Sequence, residues 1–421
     1  MERDRPGMVI VGAGECGARA ALMLREQGYP GSVTLVGAER RHPYERPPLS
    51  KALAPERGEM TPVTIVSGES LERAGIEWLA PRDVVAIEKA ERRVRLADGA
   101  WIAYDKLLLA TGATPSALPM AAGLGDCLTL RTFDDALAIR SRLRAGCRLA
   151  IVGGGLIGLE LAAIATAAGA EVTVLEAQAR ILQRGVPADL AAILNKAHTD
   201  HGVRILCGQA IASMADAEPG VSIRLADGRL LEADFVIVAI GARPNTELAE
   251  AAGLAIDNGV AVDERLRTSD PHVFAAGDCC SFPLALYGGR RVRLETWRNA
   301  QEQGALAALN MLGRDVSHTA APWFWSDQYD LGLQVAGLVD EACDIVRRDI
   351  DGGGVLLFHR AADGRLLAAS GIGQGASIGR DLKIAEMLIA RGARPPREAL
   401  QSPAVKLKGL LAPAPAPLTS L

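Results

Sequence analysis

Seven cysteines are scattered through the 421 residues, and no two stand in a C-x-x-C pair. That absence argues against a disulfide framework and against a dithiol redox centre, and it fits reduced thiols in a cytoplasm. The adjacent Cys279 and Cys280 are too strained for a useful redox pair and read as buried thiols, and the small Cys16 serves packing. No block of lysine or arginine occurs, and the net charge is -4. A nucleic-acid binder, whose affinity rests on neutralised phosphates, is therefore not expected. Long apolar runs are missing too. "LLLATGATPSALPMAAGLG" and "IVGGGLIGLELAAIATAAGA" are both broken by glycine, so neither reads as a membrane span. "MERDRPGMVIVG" runs straight into a strand without an apolar signal region, so no secretion signal is expected. "HTDH", His198 to His201, has no further ligand nearby. It reads as surface histidines ahead of the Gly202 stop, so no metal is expected.

The length is too great for one typical core and implies roughly two to four domains. In "MVIVGAGECGARAALMLREQG", an apolar strand enters Gly12-x-Gly14-x-x-Gly17 and then a helical pattern. The first glycine permits the tight turn, the second lets backbone approach a pyrophosphate, and the third lets helix and strand pack closely. The helix N-terminus then faces the phosphates. The next strand, "SVTLVG", is followed by Glu39, placed to bind ribose hydroxyls. "RLAIVGGGLIGLELAAIATAAGAEVTVLEA" repeats the arrangement with Gly153, Gly155 and Gly158, and ends in Glu176. One such glycine motif is weak evidence of a dinucleotide site. Two, each with strand, helix, strand and acid, are strong.

A second duplication follows each fingerprint. "VRLADGAWIAYDKLLLATGATP" resembles "IRLADGRLLEADFVIVAIGARP", with Asp98 matching Asp227, Gly112 matching Gly241 and Pro115 matching Pro244. Each copy reads as a hairpin feeding a buried strand that ends in a glycine turn. The chain thus carries two similar nucleotide-binding units. Beyond them, "HVFAAG" ends in Asp278, and "ETWRNAQEQGALAALNML" reads as an amphipathic helix opening near Trp297. "GLQVAGLV", "DIVRRD", "VLLFHR" and "LLAASGIG" are strand-like and precede the helix "IGRDLKIAEMLIARG", which suggests an α+β domain. The tail "LAPAPAPLTSL" reads as a flexible end.

The paired fingerprints, "ATG", "AIGARPN" and "AAGD" resemble the two-dinucleotide-binding-domain flavoproteins, with a glutathione-reductase-like α/β fold. "RPPLSK", "GLIGLE", "TSDP", "AAGDC" and "PWFWSDQYD" narrow the resemblance to the ferredoxin reductases of bacterial oxygenase systems, over residues from about 8 to 395. The resemblance implies a discontinuous FAD-binding domain (1–113 and 244–320), an inserted NADH-binding domain (114–243) and a C-terminal domain (321–421) covering the flavin. It implies FAD on Gly12, Gly14 and Gly17, with Lys51, Arg131, Asp278 and the Trp297 backbone on the flavin and its ribityl chain, and Val84 on the adenine. Arg46 is expected to touch the adenosine or pyrophosphate, the other reading being that it braces its loop. NADH is implied on Gly153, Gly155 and Gly158, with Gly241 beside it. The family often has Asp directly after "LVG"; here that residue is Ala38, and Glu39 takes its place.

In related flavoproteins a glutamate on the second fingerprint's helix pairs with a lysine beside flavin N5. Glu160 and Lys51 match that pair and are expected to form a buried ion pair. Trp325 matches a tryptophan near the ring, whereas Trp323 reads as core. Glu176 favours NADH by accepting both ribose hydroxyls and repelling a 2′-phosphate, and the nearby Arg180 is expected to soften that preference. Without a cysteine pair, the flavin itself must pass electrons singly to a [2Fe-2S] ferredoxin, which feeds a cytochrome P450 or a ring-hydroxylating oxygenase. Arg290, Arg291, Arg293 and Arg298 form either a docking patch for that acidic partner or a solvated face. A cytoplasmic monomer or weak dimer is expected, without nucleic acid or membrane. Two other readings are a reductase of rubredoxin, quinones or oxygen, and a non-catalytic flavoprotein like apoptosis-inducing factor. The latter would want a basic surface, against a pI near 6.0.

Overall fold

The computed structural model describes residues 6–53, 58–350 and 352–411. The reading of a flexible tail therefore falls, from residue 412 on, outside the described residues. The strand Gly7–Val11 is buried along its whole length, as a parallel strand covered on both faces must be. It lies between Val33–Val36 and Trp101–Leu109, and Ile76–Leu79 closes one side, all parallel. "WIAYDKLLL" serves two sheets. Its apolar C-terminal half is buried between Gly7–Val11 and Val273–Ala275. Its exposed N-terminal half turns back against Arg93–Leu96 and, beyond that, Val84–Glu88, both antiparallel.

The second fingerprint builds another parallel sheet, in the order Arg204–Cys207, Glu171–Glu176, Arg148–Val152, Phe235–Val238, Cys127–Leu128. The duplicated segment repeats the plan of its first copy. Leu230–Ala233 belongs to an antiparallel meander with Ile211–Asp216 and Val221–Leu225, and Phe235–Val238 to the parallel sheet. The change of partner falls at Asp234, where the first copy shifts register at Asp105; the Asp234 carboxylate accepts from the Arg148 backbone N–H and, at 2.8 Å, from its guanidinium. The ends of the two copies then meet. Ala113–Pro115 and Ala242–Pro244 pair antiparallel. The Asn245 amide fastens the crossing by donating to the Thr111 carbonyl at 2.8 Å and accepting from the Thr114 hydroxyl at 2.7 Å.

The helices Glu15–Glu26 and Trp297–Met311 pack on each other with small residues between them. A Cβ on Gly304 would fall 2.3 Å from the Cys16 carbonyl oxygen. The C-terminal domain is a five-stranded antiparallel sheet, in the order Trp323–Gln328, Leu331–Gly337, Leu366–Gln374, Gly354–Arg360, Asp344–Ile350. Trp323–Gln328 is a strand beyond the four runs read from the sequence. Alternation puts Ala336, Leu356 and Ala369 against Leu382, Ala385 and Leu388 of the helix Gly379–Ala390. The other face places Leu333, Val335, Val355 and Leu357 against Leu159, Leu190 and Leu194 of the second unit. This apolar contact brings the C-terminal sheet over the second fingerprint's helix.

Candidate active site

Both fingerprints form turns of the same shape. Gly12 and Gly153 adopt φ of +112° and +111°, and a Cβ on either would lie 2.1 or 2.3 Å from a carbonyl oxygen of the neighbouring strand. Gly17 and Gly158 lie against the carbonyls of Gly12 and Gly153, where a Cβ would be 1.8 and 2.2 Å away. The middle glycines differ from these: a Cβ on Gly14 or Gly155 meets nothing within 4 Å. The helices Glu15–Glu26 and Leu156–Ala167 begin there without a side-chain cap. Each turn is therefore an open recess at a positive helix end without a side-chain cap, the arrangement a diphosphate requires.

Around the first recess, Glu15 turns aside and accepts from the Trp297 indole N–H at 3.1 Å and the Gln301 amide at 2.9 Å. Burial lifts its carboxyl, and those two bonds pull it back. Arg131 pairs with the largely buried Asp278 at 3.0 Å. Arg46 donates to Glu39 at 2.8 Å and to the Arg131 carbonyl at 2.5 Å. The Tyr44 hydroxyl donates to Glu39 at 2.5 Å and accepts from the Phe133 N–H at 2.9 Å. Burial pushes that phenol up to about 12. Arg46 is thus a brace tying Glu39 to Arg131. Val84 is half-buried at the start of its strand and packs against the apolar core around Gly7–Val11.

Lys51 ends the short helix Pro48–Lys51, which the prolines of "RPPLSK" open. The expected ion pair with Glu160 is corrected here: the ammonium is bonded to Asp327, and it lies 5.7 Å from the Trp325 ring centre. Glu160 is instead held by two hydroxyls, Ser50 at 2.7 Å and Ser326 at 2.6 Å. Its carboxyl is lifted by burial; the two serines and Lys51 oppose the rise, and Asp327 adds to it. The reason is reach and solvation. Asp327 is exposed at the strand's edge and can meet a partly exposed ammonium, whereas the more enclosed Glu160 is satisfied by neutral donors. Sequence reasoning missed Ser50 and Ser326, for which no local pattern gives a signal. Glu160 is consequently bonded to the first unit, through Ser50, and to the C-terminal sheet, through Ser326.

Trp325 stacks on Trp323 at 5.2 Å and meets Trp297 edge-on at 6.0 Å. Trp323 is half-buried and lies 3.9 Å beneath the Arg298 guanidinium. The four arginines do not form a free basic patch. Arg290 is paired with Asp340 and Glu341, Arg291 with Asp257, Arg293 with Glu295 and Arg298 with Glu386. The three clustered thiols are buried: Cys16, Cys279 and Cys280 all have their ionisation pushed up by desolvation.

At the second recess, the Glu176 carboxylate accepts the Gly154 and Gln178 N–H groups, each at 2.7 Å. Arg180 does not face this site as a free cation. Its guanidinium donates to the carbonyls of Ile181, Leu182, Gln183 and Val186, at 3.0 to 3.4 Å. Gly241 ends the second duplicated segment with φ of +104°, and the Arg184 guanidinium lies 3.9 Å from where its Cβ would be. His198 corrects the reading of "HTDH" as a surface pair, because it is fully buried. Among the described residues no cluster of His, Cys, Asp or Glu could hold a metal ion, and no helix is long and apolar enough to cross a membrane.

Residues 6–304 match the family model of the pyridine nucleotide-disulphide oxidoreductases, and residues 323–411 match that of the reductase C-terminal domain. The chain is 41% identical to the ferredoxin--NAD(+) reductase component of the anthranilate 1,2-dioxygenase system of Burkholderia cepacia, over 96% of this chain and 98% of that one. It is 40% identical to putidaredoxin reductase of Pseudomonas putida, over 79% and 80% of the two chains. Its fold superposes with a TM-score of 0.90 on the reductase of the covalent putidaredoxin reductase-putidaredoxin complex, at 36% identity and covering 97% and 98% of the two chains.

Proposed function

The chain belongs to the pyridine nucleotide-disulphide oxidoreductases, and from that membership we propose that it passes electrons from NADH through FAD to a [2Fe-2S] ferredoxin serving a cytochrome P450 or a ring-hydroxylating oxygenase. It is an oxidoreductase of the ferredoxin--NAD(+) reductase type, using FAD and NAD(H). FAD, when bound, takes up the electron pair of NADH and releases it one electron at a time.

The observation that carries it is the junction at Glu160. A carboxylate on the second fingerprint's helix is bonded to Ser50, the neighbour of Lys51 in the first unit. The two nucleotide recesses therefore serve one reaction centre, where Glu160 orients the nicotinamide carboxamide. Gly12, Gly14 and Gly17 with their helix N-terminus would hold the FAD diphosphate, and Gly153, Gly155 and Gly158 that of NADH. Arg131 and Asp278 would bind the ribityl side, with Glu39 and Val84 at the adenosine end and Arg46 bracing Glu39. Lys51 and the Trp297 backbone would lie along the flavin, with Trp325 shielding it from water. Glu176 would take the NADH ribose, with Gly241 leaving room beside it. The same reading divides the chain into the split FAD-binding part (1–113 and 244–320), the NADH-binding insert (114–243) and the C-terminal domain (321–421). It also places the enzyme in the cytoplasm, as a monomer or weak dimer.

The test is NADH-dependent cytochrome c reduction by the FAD-loaded protein, with and without a panel of [2Fe-2S] ferredoxins. Turnover should depend on at least one of them. Turnover that no ferredoxin alters would end this reading.

A further inference from the structure

The side chains behind Glu160 form an unbroken file. The Ser326 hydroxyl donates to Glu160 at 2.6 Å, and the Gln328 amide nitrogen donates to Ser326 at 3.1 Å. That leaves the Gln328 carbonyl oxygen facing His198 Nε2 at 2.8 Å, so Nε2 must carry the proton. Nδ1 is then the acceptor, and the Tyr329 hydroxyl donates to it at 3.0 Å. Burial pushes the imidazole's protonation down, which keeps it in this neutral form. Tyr329 also stacks at 3.8 Å on the exposed His201, closing the file at the surface. Every bond runs the same way, donor to acceptor, and ends on a carboxylate.

The file joins separate parts of the chain. His198 belongs to the helix Ala188–Asp200 of the second unit; Ser326 and Gln328 lie on the first strand of the C-terminal sheet. Ser326, Gln328 and His198 are each no more than 1% exposed. Three polar groups so fully enclosed would each be unfavourable if left unpaired. Aligned in one direction they polarise one another and favour negative charge at the far end. The charged groups acting on Glu160 are Lys51 and Asp327, and His201 acts on His198. None of them interrupts the file.

We propose that Gln328 and His198 are positioning residues for Glu160, fixing its carboxylate through Ser326 by a one-way file of hydrogen bonds that begins at Tyr329. The role in turnover rests on Glu160 lying beside the nicotinamide, as proposed above; the file itself does not. When the C-terminal sheet docks on the second unit, the carboxylate is set at the same time. The reductase C-terminal domain thereby contributes to hydride transfer through the neutral groups of Ser326 and Gln328.

Three measurements on the FAD-loaded protein test this. In the first, ¹⁵N-labelled histidine shifts should identify Nε2 as the protonated nitrogen of His198; an Nδ1-protonated ring would reverse the file and overturn the proposal. The second is a double-mutant cycle on flavin reduction by NADH. Gln328→Leu, with Gln328→Met as the alternative if the first does not fold, should slow reduction about fivefold and leave the KM for NADH within twofold. In a Glu160→Gln background the same change should slow it less than twofold, whereas effects that simply multiply would overturn the proposal. The third follows the protonated-carboxyl infrared band of Glu160, assigned by its loss in Glu160→Gln. Gln328→Leu should raise the proton affinity about threefold, and no rise would overturn the file. If Glu160→Gln leaves flavin reduction unchanged, the nicotinamide reading of Glu160 fails, and the ¹⁵N shifts and the infrared titration decide the file.

Discussion

Coenzyme choice gives the sharpest test of the second recess. Each oxygen of Glu176 already accepts one backbone N–H, from Gly154 and from Gln178. A carboxylate has about four acceptor positions, so about two remain, enough for the two ribose hydroxyls of NADH. A 2′-phosphate removes one of those donors, which is worth about 1.5 to 3 kcal/mol when the acceptor is charged. It also sets like charges about 5 Å apart, a repulsion of about 3 kcal/mol at an effective dielectric of about 20, reduced at a half-exposed site. A combined preference of about 3 kcal/mol corresponds to about 100-fold in kcat/KM for NADH over NADPH. Arg180 cannot offset this, since its guanidinium is committed to four loop carbonyls. Arg180→Ala should therefore leave the coenzyme ratio within about threefold, and lower thermal stability by freeing those carbonyls. Glu176→Ala should reduce NADH efficiency by about tenfold or more and shrink the ratio. Steady-state rates with both coenzymes at fixed ionic strength decide the matter. A wild-type ratio below about tenfold, or a ratio moved tenfold by Arg180→Ala, would refute the reasoning.

Other outcomes are equally specific. Cys279→Ala and Cys280→Ala should each keep NADH-to-ferredoxin turnover within about twofold, since these thiols are buried and held in their protonated form; a tenfold loss in a folded, FAD-loaded variant would show a redox role. His318 and His359 are buried and neutral, with protonation pushed down to about 4. On acidification the unfolded chain binds protons first, so stability should fall from about pH 6.5 towards about pH 4, by about 2 kcal/mol per histidine at pH 5. Urea midpoints at saturating FAD should show this fall, and His359→Phe should flatten it. Arg290→Ala and Arg293→Ala should change ferredoxin kcat/KM less than about twofold at low salt, because acids already neutralise both. A tenfold loss would reinstate this surface as the docking site.

Much of the architecture was legible because its signals are local. Glycine spacing announces the two turns, since only those backbone shapes and close contacts produce it. The duplicated "RLADG" segments announce a second repeated element, and the apolar runs after Leu331 announce the C-terminal sheet. What failed was tertiary. Nothing within "RPPLSK" says that Lys51 meets Asp327, 276 residues away, or that its neighbour Ser50 meets Glu160. Nor does either copy of the repeat say that Arg148, from another strand, holds Asp234. The burial of His198 did carry a signal. Leu190, Leu194 and His198 follow at four-residue steps on the inward face of one helix. Reading "HTDH" as a spacing of histidines concealed that periodicity.

The paired strands Ala113–Pro115 and Ala242–Pro244 have a consequence for how such a chain can be cut and rejoined. Pro115 stands opposite Ala242 in an antiparallel ladder, so the points where the chain leaves and returns are only about 5 Å apart. A two-residue turn of the Asn-Gly kind spans that gap. Deleting residues 116–241 and placing the turn between Pro115 and Ala242 would convert the crossing into an ordinary β-hairpin. In genetic terms the 126 residues from 116 to 241 begin and end at adjacent points of the fold.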